Sequence, residues 1–280
     1  MKLVRFGDIG REKPGLLDKD GQVRDLSAHV ADLAGDVLSP QGLQRLAALK
    51  PADLPLAPSG ARLGAPVSGS SKFIAIGLNY ADHAAEAGMP LPSEPIIFLK
   101  ANTSMCGPND PVEKPRGSTK LDWEVELGFV IGTKAKYVTE AAALDHVVGY
   151  CLANDISERN FQLERQGTWT KGKSHDTFGP VGPWLVTKDE IADPHKLAMW
   201  LDVNGERQQN GSTATMIFKL PKIISYVSQF MTLLPGDVVV TGTPPGVGSG
   251  KKPPRFLNAG DVVTLGIDGL GAQRQQIVAA

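Results

Sequence analysis

Short apolar runs separated by glycine and proline fill the sequence from residue 72 onward. Each run has the length of a β-strand and is rich in Val, Ile and aromatic residues. The runs are FIAIG, PIIFLK, WEVELGFVIG, HVVGYCLAND, GPWLV, LAMWLDVNG, GDVVVTG and GDVVTLGI. The 31 glycines and 21 prolines among 280 residues predict many turns. The pattern therefore predicts an α+β fold that is mostly β, with a few helices packed around a rolled or barrel-like sheet.

The N-terminal part of the chain has a different pattern. KLVRFG and a second short strand flank a turn at Asp20-Gly21. A helix follows, for which Ser39 is the expected N-cap and Pro40 the first helical residue. These features predict a small module of its own.

A segment rich in Pro, Gly and Ser, residues 51–71, separates this module from the apolar runs. Its composition favours irregular backbone, so we place a domain boundary there. We expect a small N-terminal domain with its linker over residues 1–70 and a larger domain over residues 71–280. Helical spacing in the larger domain predicts helices over residues 80–87, 157–166 and 220–231.

Charge and cysteine content exclude several classes of protein. Lys plus Arg number 29 and Asp plus Glu 30, so a net charge of -1 leaves no basic field for nucleic acid. Cys106 and Cys151 lie outside any CxxC spacing and cannot build a disulfide framework. The first residues are charged, and no stretch has the apolar length of a membrane span. We expect a soluble, cytoplasmic protein that binds neither nucleic acid nor a membrane.

The most informative segment, LDWEVELGFVI at residues 121–131, alternates acidic and apolar residues. In a strand, Asp122, Glu124 and Glu126 would share one face. Three carboxylates in a row repel one another, so they must face water on an edge strand or hold a cation. The strand continues without a break into an apolar run, which favours a strand that enters the core and holds a cation.

Asp155 ends another apolar run and precedes the expected helix at 157–166. On its own it could be a helix N-cap. Together with Glu124 and Glu126 it makes an all-oxygen set that suits Mg²⁺ or Mn²⁺ rather than zinc.

His83 and Glu86 are three residues apart on the expected helix at 80–87, where their side chains are neighbours. A carboxylate beside an imidazole fixes its tautomer and raises its basicity, so the pair is a candidate general base for water. A solvated surface pair is the simpler alternative.

Further polar residues could serve the same site. Lys173, in WTKGKSHD, could stabilise a developing oxyanion, although lysines in loops are commonly only solvated. Arg159 and Gln162 follow Asp155 on the expected helix and could reach a substrate carboxylate or carbonyl. The loop TGTPPGVGSGK at residues 241–251 fails the Walker A pattern, because Pro and Lys stand where Gly and Ser or Thr are needed. We interpret it as a loop that brings backbone amides and Thr243 close to a ligand.

Six ordered motifs carry a family resemblance across residues 72–280. They are GLNYxxHxxE, FLK, DWEVELGFVIG, GYCLANDISERNFQ, KGKSHDTFGPVGP and LPGDVVVTGTPPGVG. In this order the chain resembles the fumarylacetoacetate hydrolase family, and its first 70 residues resemble the small variable domain of many bacterial members. The resemblance implies a mixed β-sandwich roll, a homodimer and a bound Mg²⁺ or Mn²⁺.

The resemblance also implies roles for ten residues. The metal ligands would be Glu124, Glu126 and Asp155. The catalytic residues would be His83, Glu86 and Lys173, and the substrate-binding residues would be Lys100, Arg159, Gln162 and Thr243. Asp122 receives no role from the family pattern.

The activity implied is Mg²⁺-dependent cleavage of a C–C bond in a 2,4-diketo acid, an acylpyruvate or a diketo-deoxy sugar acid. The acid chelates the metal, the His83–Glu86 dyad activates water, and pyruvate leaves as a metal-bound enolate. The alternatives are ureidoglycolate lyase, oxaloacetate decarboxylase, 2-hydroxyhepta-2,4-diene-1,7-dioate isomerase and, outside the enzymes, a metal-dependent small-molecule binding module.

Overall fold

The computed structural model describes residues 1–86 and 88–280. The described residues form eighteen strands and four α-helices. The strands are β1 (Lys2–Phe6), β2 (Lys13–Leu17), β3 (Val23–Asp25), β4 (Leu63–Gly64), β5 (Phe73–Gly77), β6 (Ile96–Lys100), β7 (Met105–Cys106), β8 (Val112–Lys114), β9 (Leu121–Asp122), β10 (Val125–Ile131), β11 (Val147–Asn154), β12 (Ser157–Glu158), β13 (Gly179–Thr187), β14 (Ala198–Val203), β15 (Glu206–Ser212), β16 (Val238–Val240), β17 (Val262–Ile267) and β18 (Gly271–Ala279). The helices are α1 (Pro40–Ala47), α2 (Ala81–Glu86), α3 (Thr170–Lys173) and α4 (Leu220–Phe230).

The largest sheet runs in the order β3-β2-β1-β13-β11-β10-β16-β5-β6. Its central strand β10 pairs antiparallel with β11 on one side and with β16 on the other. Every residue of β10 is buried, because both faces of the strand are covered. The middle of this sheet is therefore the most enclosed part of the fold.

A second sheet, in the order β15-β14-β17-β18-β8, packs against the first. Alternate residues of β10, among them Leu127 and Phe129, share one core with Leu201 and Leu265 of the second sheet. Val130 lies on the opposite face, in a second core that extends to the N-terminal segment. The predicted α+β, mostly β sandwich is confirmed.

The N-terminal strands extend the large sheet. β1 pairs antiparallel with β13, and β2 pairs with both β1 and β3. The segment was predicted to have two strands, but it has three, and the Asp20-Gly21 turn lies between the second and third. The division into domains at residues 1–70 and 71–280 stays a prediction.

Two predicted helices are observed with close bounds. Ser39 caps α1 by accepting a hydrogen bond from the Gly42 amide, and α4 begins and ends within one residue of the prediction. The prediction over 80–87 is observed as α2, and residue 87 lies outside the described residues. None of the helices in the described part of the chain has the length and apolarity that crossing a bilayer requires.

The predicted helix over 157–166 is wrong at its start and is observed only in part. Residues 157 and 158 form β12, which pairs with β9, and a π-helical turn follows at Asn160–Glu164. The Glu158 carboxylate accepts hydrogen bonds from the Ser118 hydroxyl and the Lys120 amide. These long-range contacts override the local helical spacing.

Candidate active site

Three buried carboxylates meet at one end of the central strand pair. One oxygen each of Glu124, Glu126 and Asp155 lies within 4.8 Å of the others. Glu126 is the second residue of β10, and Asp155 directly follows β11. The register of the two antiparallel strands sets Val125 opposite Asn154, which brings the acids to the same end of the sheet. The sequence predicted these three residues as one set, and the structure brings them together.

The strand predicted over 121–131 is interrupted between β9 and β10. The Glu124 amide donates to the Asn154 side-chain oxygen at 3.2 Å, outside the strand ladder. Asp122 lies in β9, before this break, and is not among the acids whose oxygens converge, so only two of the three carboxylates in the predicted row belong to the acid set. Asp122 binds instead to Arg159 and to the glycine-rich loop.

Three cations surround two of the acids. Lys173 Nζ lies 2.9 Å from Glu124 Oε2 and 2.7 Å from Asp155 Oδ2. Arg159 Nη2 is 2.7 Å from Glu124 Oε1, and Lys100 Nζ is 2.5 Å from Asp155 Oδ1. Burial would raise the pKa of Glu124, but the charges of Lys173 and Arg159 outweigh it and hold that pKa well below its usual range.

Glu126 has no such partner among the described residues. Its Oε2 accepts one hydrogen bond, at 2.7 Å, from the Gly242 amide. Burial, followed by the charges of Asp155 and Glu124, raises the pKa of Glu126 well above its ordinary value. A cation between the three acids would relieve this repulsion, and an all-oxygen donor set fits a hard divalent ion.

Lys173 keeps its charge in this setting. Burial opposes an ammonium group there, but the carboxylates of Asp155 and Glu124 outweigh burial, so the pKa of Lys173 lies above its ordinary value. Its side chain is buried and also lines the cavity described below. The ammonium is therefore a fixed positive charge at the edge of the acid set.

Lys100 lies behind the acids and is absent from the lining of the cavity. Its ammonium is fully buried between Asp155 Oδ1 and the Lys173 carbonyl oxygen, both at 2.5 Å. This placement does not favour direct contact with a substrate, for which Lys100 was predicted. It favours a part in orienting Asp155 and the end of α3.

His83 and Glu86 face the acids from α2. Glu86 Oε2 lies 3.2 Å from His83 Nδ1, and the Glu86 carboxylate accepts a hydrogen bond from the Gly246 amide at 2.9 and 3.1 Å. Only 8% of His83 is exposed. The pair is therefore part of the cavity wall and not a solvated surface pair, while its catalytic role stays a prediction.

The glycine-rich loop supplies backbone donors to protein carboxylates. Besides the amides of Gly242 and Gly246, those of Gly248 and Ser249 donate to Asp122 at 2.6 and 2.9 Å. A Cβ at Gly246 would lie 2.0 Å from a backbone oxygen, so only glycine fits there. The sequence predicted a loop whose amides approach a ligand, and it did not predict that protein carboxylates accept those amides.

Glu124, Glu126, Lys173 and the His83–Glu86 pair line a cavity of about 480 Å³. Arg159 and Gln162 line it, with Gln162 Oε1 accepting from Arg159 Nη1 at 3.1 Å. Thr243 also lines it, but its hydroxyl donates to the Val125 carbonyl and accepts from Gln209. Thr243 is thus held in the site with its hydroxyl already paired.

One wall of the cavity is apolar, and the sequence analysis missed it. Phe98 and Trp169 stack edge to face at 5.2 Å between ring centroids, and Met89 and Leu163 lie along the same cavity. These residues come from β6, the π-helical turn and two loops, so no local spacing relates them. Asp122 was predicted only as a member of the row of three carboxylates, and its contacts with Arg159 and the glycine-rich loop were not predicted.

The chain is similar to known proteins over most of its length. Residues 72–278 match the family model described as fumarylacetoacetate (FAA) hydrolase, C-terminal. A Burkholderia multivorans protein, provisionally named a hydrolase, is 62% identical to the chain over 281 residues. The alignment covers 100% of each of the two sequences.

Solved structures are also similar to the chain over its whole length. A fumarylacetoacetate hydrolase from Exiguobacterium antarcticum is 36% identical, with a TM-score of 0.89 and 100% of each chain covered. A 2-hydroxyhepta-2,4-diene-1,7-dioate isomerase from Mycobacterium marinum is 33% identical, with a TM-score of 0.75, covering 100% of this chain and 98% of the other. The N-terminal segment is thus included in both likenesses.

Proposed function

The chain belongs to the fumarylacetoacetate hydrolase family, as its motifs predict, and from this premise we propose that it is a divalent-metal-dependent enzyme that hydrolyses a C–C bond of a 2,4-diketo acid. One observation carries the proposal. Glu124, Glu126 and the His83–Glu86 pair line a single cavity of about 480 Å³, a volume that suits a small oxo acid, and an oxygen of the buried Asp155 lies within 4.8 Å of the two glutamates.

Glu124, Glu126 and Asp155 would hold the ion, for which we propose Mg²⁺ or Mn²⁺. The all-oxygen donors and the raised pKa of Glu126, which a bound cation would lower, support this choice. When bound, such an ion would attract the carboxylate and 2-oxo oxygens of the substrate and lower the energy of negative charge on them.

His83 would act as the general base. Because Glu86 accepts a hydrogen bond from Nδ1, the ring proton stays on Nδ1 and Nε2 is left to accept a proton. The Gly246 amide fixes Glu86 in turn. In this arrangement Nε2 would take a proton from water, and the resulting hydroxide would attack the carbonyl remote from the substrate carboxylate.

Lys173 would stabilise the charge that follows. When the C–C bond breaks, its electron pair moves onto the pyruvate fragment, and the buried ammonium would donate to the oxygen that becomes negative. A proton then completes pyruvate, while the other fragment leaves as a carboxylic acid. Water is consumed once, and no oxidant is required.

Arg159 and Gln162 would orient the substrate. Gln162 uses its carbonyl oxygen on Arg159, which leaves its amide donors available to the cavity. The apolar wall at Phe98 and Trp169 would accept the acyl group. Thr243 and Lys100 would act mainly by holding the backbone and Asp155.

The proposal is tested by a substrate panel with Mg²⁺ present and after chelation. The panel contains acylpyruvates, a diketo-deoxy sugar acid, oxaloacetate, ureidoglycolate and 2-hydroxyhepta-2,4-diene-1,7-dioate. We expect the highest kcat/KM on a 2,4-diketo acid and its loss on chelation. Preference for oxaloacetate or ureidoglycolate would overturn the proposed substrate class.

Isomerisation is the second candidate. The likeness to a solved 2-hydroxyhepta-2,4-diene-1,7-dioate isomerase favours it. The chemistry needs a proton to leave one atom of the substrate and another to be delivered to a carbon, rather than attack by water, so His83 would move a substrate proton. The panel separates the two, because the isomerase reaction gives one product without cleavage.

We also propose a homodimer, as the family resemblance implies. Light scattering after size exclusion would give twice the 29.8 kDa chain mass. A monomer at micromolar concentration would contradict it. The expectation of a cytoplasmic protein stays a prediction.

A further inference from the structure

Asp122 is a completely buried acid beside the site, and the family pattern gives it no role. Its Oδ1 accepts from the amides of Gly248 at 2.6 Å and Trp123 at 2.9 Å. Its Oδ2 accepts from the Ser249 amide and from Arg159 Nε, both at 2.9 Å. We propose that Asp122 is a positioning residue that holds the loop at residues 246–250 and the Arg159 side chain in their active arrangement.

On the loop side, Asp122 acts on the His–Glu pair. The Gly246 amide, two residues before the amide that Asp122 holds, donates to Glu86. At Gly250 an added Cβ would lie 2.5 Å from the Glu86 carboxyl carbon, so the loop fits closely against that side chain. A shift of the loop would therefore remove the contact that orients Glu86 and, through it, His83.

On the other side, Asp122 sets the rotation of a planar group. The Arg159 guanidinium donates Nε to Asp122, Nη2 to Glu124 and Nη1 to Gln162. Because the guanidinium is rigid, fixing Nε also fixes the directions of the other two donors. Asp122 thus links one of the acid ligands to the loop that carries the donor for Glu86.

The chemistry of the contacts requires a carboxylate. Four N–H groups point at the two oxygens of Asp122, and all four are donors. In an asparagine, an N–H₂ group replaces one of the two oxygens. That group would face two other donors, either those of Ser249 and Arg159 or those of Gly248 and Trp123. A buried donor without an acceptor then has to move or remain unpaired.

Asp122→Asn is the direct test, and Asp110→Asn is its matched control. Asp110 is also a buried acid, 7% exposed, that accepts from an arginine, Arg62, at 2.6 Å and from a backbone amide, that of Gly107, at 2.7 Å. None of these partners lines the candidate active site. Both variants should lose thermal stability, so stability alone cannot distinguish them.

Three quantities are measured on the full chain: kcat and KM on the best substrate, hydrogen exchange of peptides covering residues 246–250, and the melting temperature. We expect Asp122→Asn to lower kcat at least tenfold and to speed exchange in the loop. Asp110→Asn should change kcat less than twofold and leave loop exchange as in the unmodified protein. Unchanged kcat or unchanged loop exchange in Asp122→Asn would overturn the inference.

Gly248→Ala disturbs the contact between Asp122 and the loop by changing the loop instead of the acid. It is the second test if Asp122→Asn does not fold. Its Cβ would lie 2.8 Å from Asp122 Oδ1 and 2.0 Å from the Arg255 carbonyl oxygen, while every carboxylate is retained. The same loss of kcat and gain in exchange are expected, and their absence would count against the inference.

The kinetic part of the test rests on the proposed function. If the unmodified protein turns over no substrate of the panel, that function fails, and loop exchange still decides whether Asp122 holds the loop.

Discussion

Glu126 and Glu124 are two residues apart, yet their surroundings differ. Two cations pair with Glu124, whereas Glu126 has one backbone donor and two acidic neighbours. Burying a carboxylate in this way costs several kcal/mol unless a cation compensates it. This free-energy cost destabilises the protein without the ion, and an ion bound between the acids would remove it.

Glu126→Gln should therefore weaken metal binding without weakening the fold. The glutamine oxygen can still accept from Gly242, while one ligand charge is lost. We expect the Mn²⁺ dissociation constant to rise by roughly tenfold or more, with an unchanged or higher melting temperature in the absence of ions. Glu113→Gln, an exposed acid outside the set, is the control. Calorimetric titration that gives equal Mn²⁺ affinity for both would count against the metal site.

His83→Ala should separate binding from turnover. Loss of a general base lowers kcat by roughly 10²- to 10⁴-fold, whereas the acids that hold the ion remain. Mg²⁺ and oxalate should bind as in the unmodified protein, measured by calorimetry. His29→Ala, at an exposed position, should retain full turnover. If His83→Ala also retains it, His83 is not the base.

At the scale of elements, α4 depends on a side chain from outside the helix. The Leu220 amide at its first residue donates to His195 Nε2 at 3.1 Å. Burial, followed by the charge of Lys219, lowers the pKa of His195 below its ordinary 6.5, although Asp193 opposes this. The folded chain therefore prefers the neutral imidazole that accepts this hydrogen bond.

This preference makes stability depend on pH in a known direction. As the pH falls, a histidine whose pKa is lowered by folding takes up its proton in the unfolded chain before it does so in the folded chain. Its contribution to the stability of the fold is therefore complete above pH 6.5 and decreases as the pH falls below that value. Between about pH 7.5 and about pH 5.5 the melting temperature should fall more for the unmodified protein than for His195→Gln, which can accept the same amide but does not titrate. Parallel pH curves for the two proteins would contradict this assignment.

At the scale of the whole molecule, Arg62 joins the N-terminal segment to the rest of the chain. Its guanidinium donates to Asp110 at 2.6 Å, to Glu12 at 2.9 Å and to the Gly7 carbonyl at 3.1 Å. The two acids are largely buried, with side-chain exposures of 10% and 9%. Loss of the arginine would leave both without their main partner.

Arg62→Ala should lower the free energy of unfolding by about 2 kcal/mol, a value reduced from that of a fully buried pair because Arg62 is partly exposed. Lys13→Ala removes an ion pair at 3.9 Å between an exposed lysine and Asp25, and it should change the free energy of unfolding by less than about 0.5 kcal/mol. Denaturant unfolding measures both, and kcat should be unchanged in each. Equal effects would mean that Arg62 does not join the two parts.

The sequence by itself determined the features that depend on a few neighbouring residues. Apolar runs bounded by glycine and proline predicted the mostly β fold, and Ser39 with Pro40 predicted the start of α1. The spacing of Glu124 and Glu126 predicted that both belong to one acid set, although Glu124 lies in the break before β10 and not in the strand itself. These features follow from backbone periodicity and local capping, which are fixed within a few residues.

The tertiary structure alone decided what depends on contacts between distant residues. The pairing of β10 with β11 brought Asp155 to the glutamates, and Asp122 accepts a hydrogen bond from the amide of Gly248, 126 residues further along the chain. Lys100 was placed behind Asp155 rather than in the cavity, and residues 157–158 became a strand because β9 is available to pair with them. These outcomes depend on which hydrogen-bond donors and acceptors come within reach of one another after the sheets have packed. Such contacts join residues far apart in the sequence, so a local sequence pattern does not predict them.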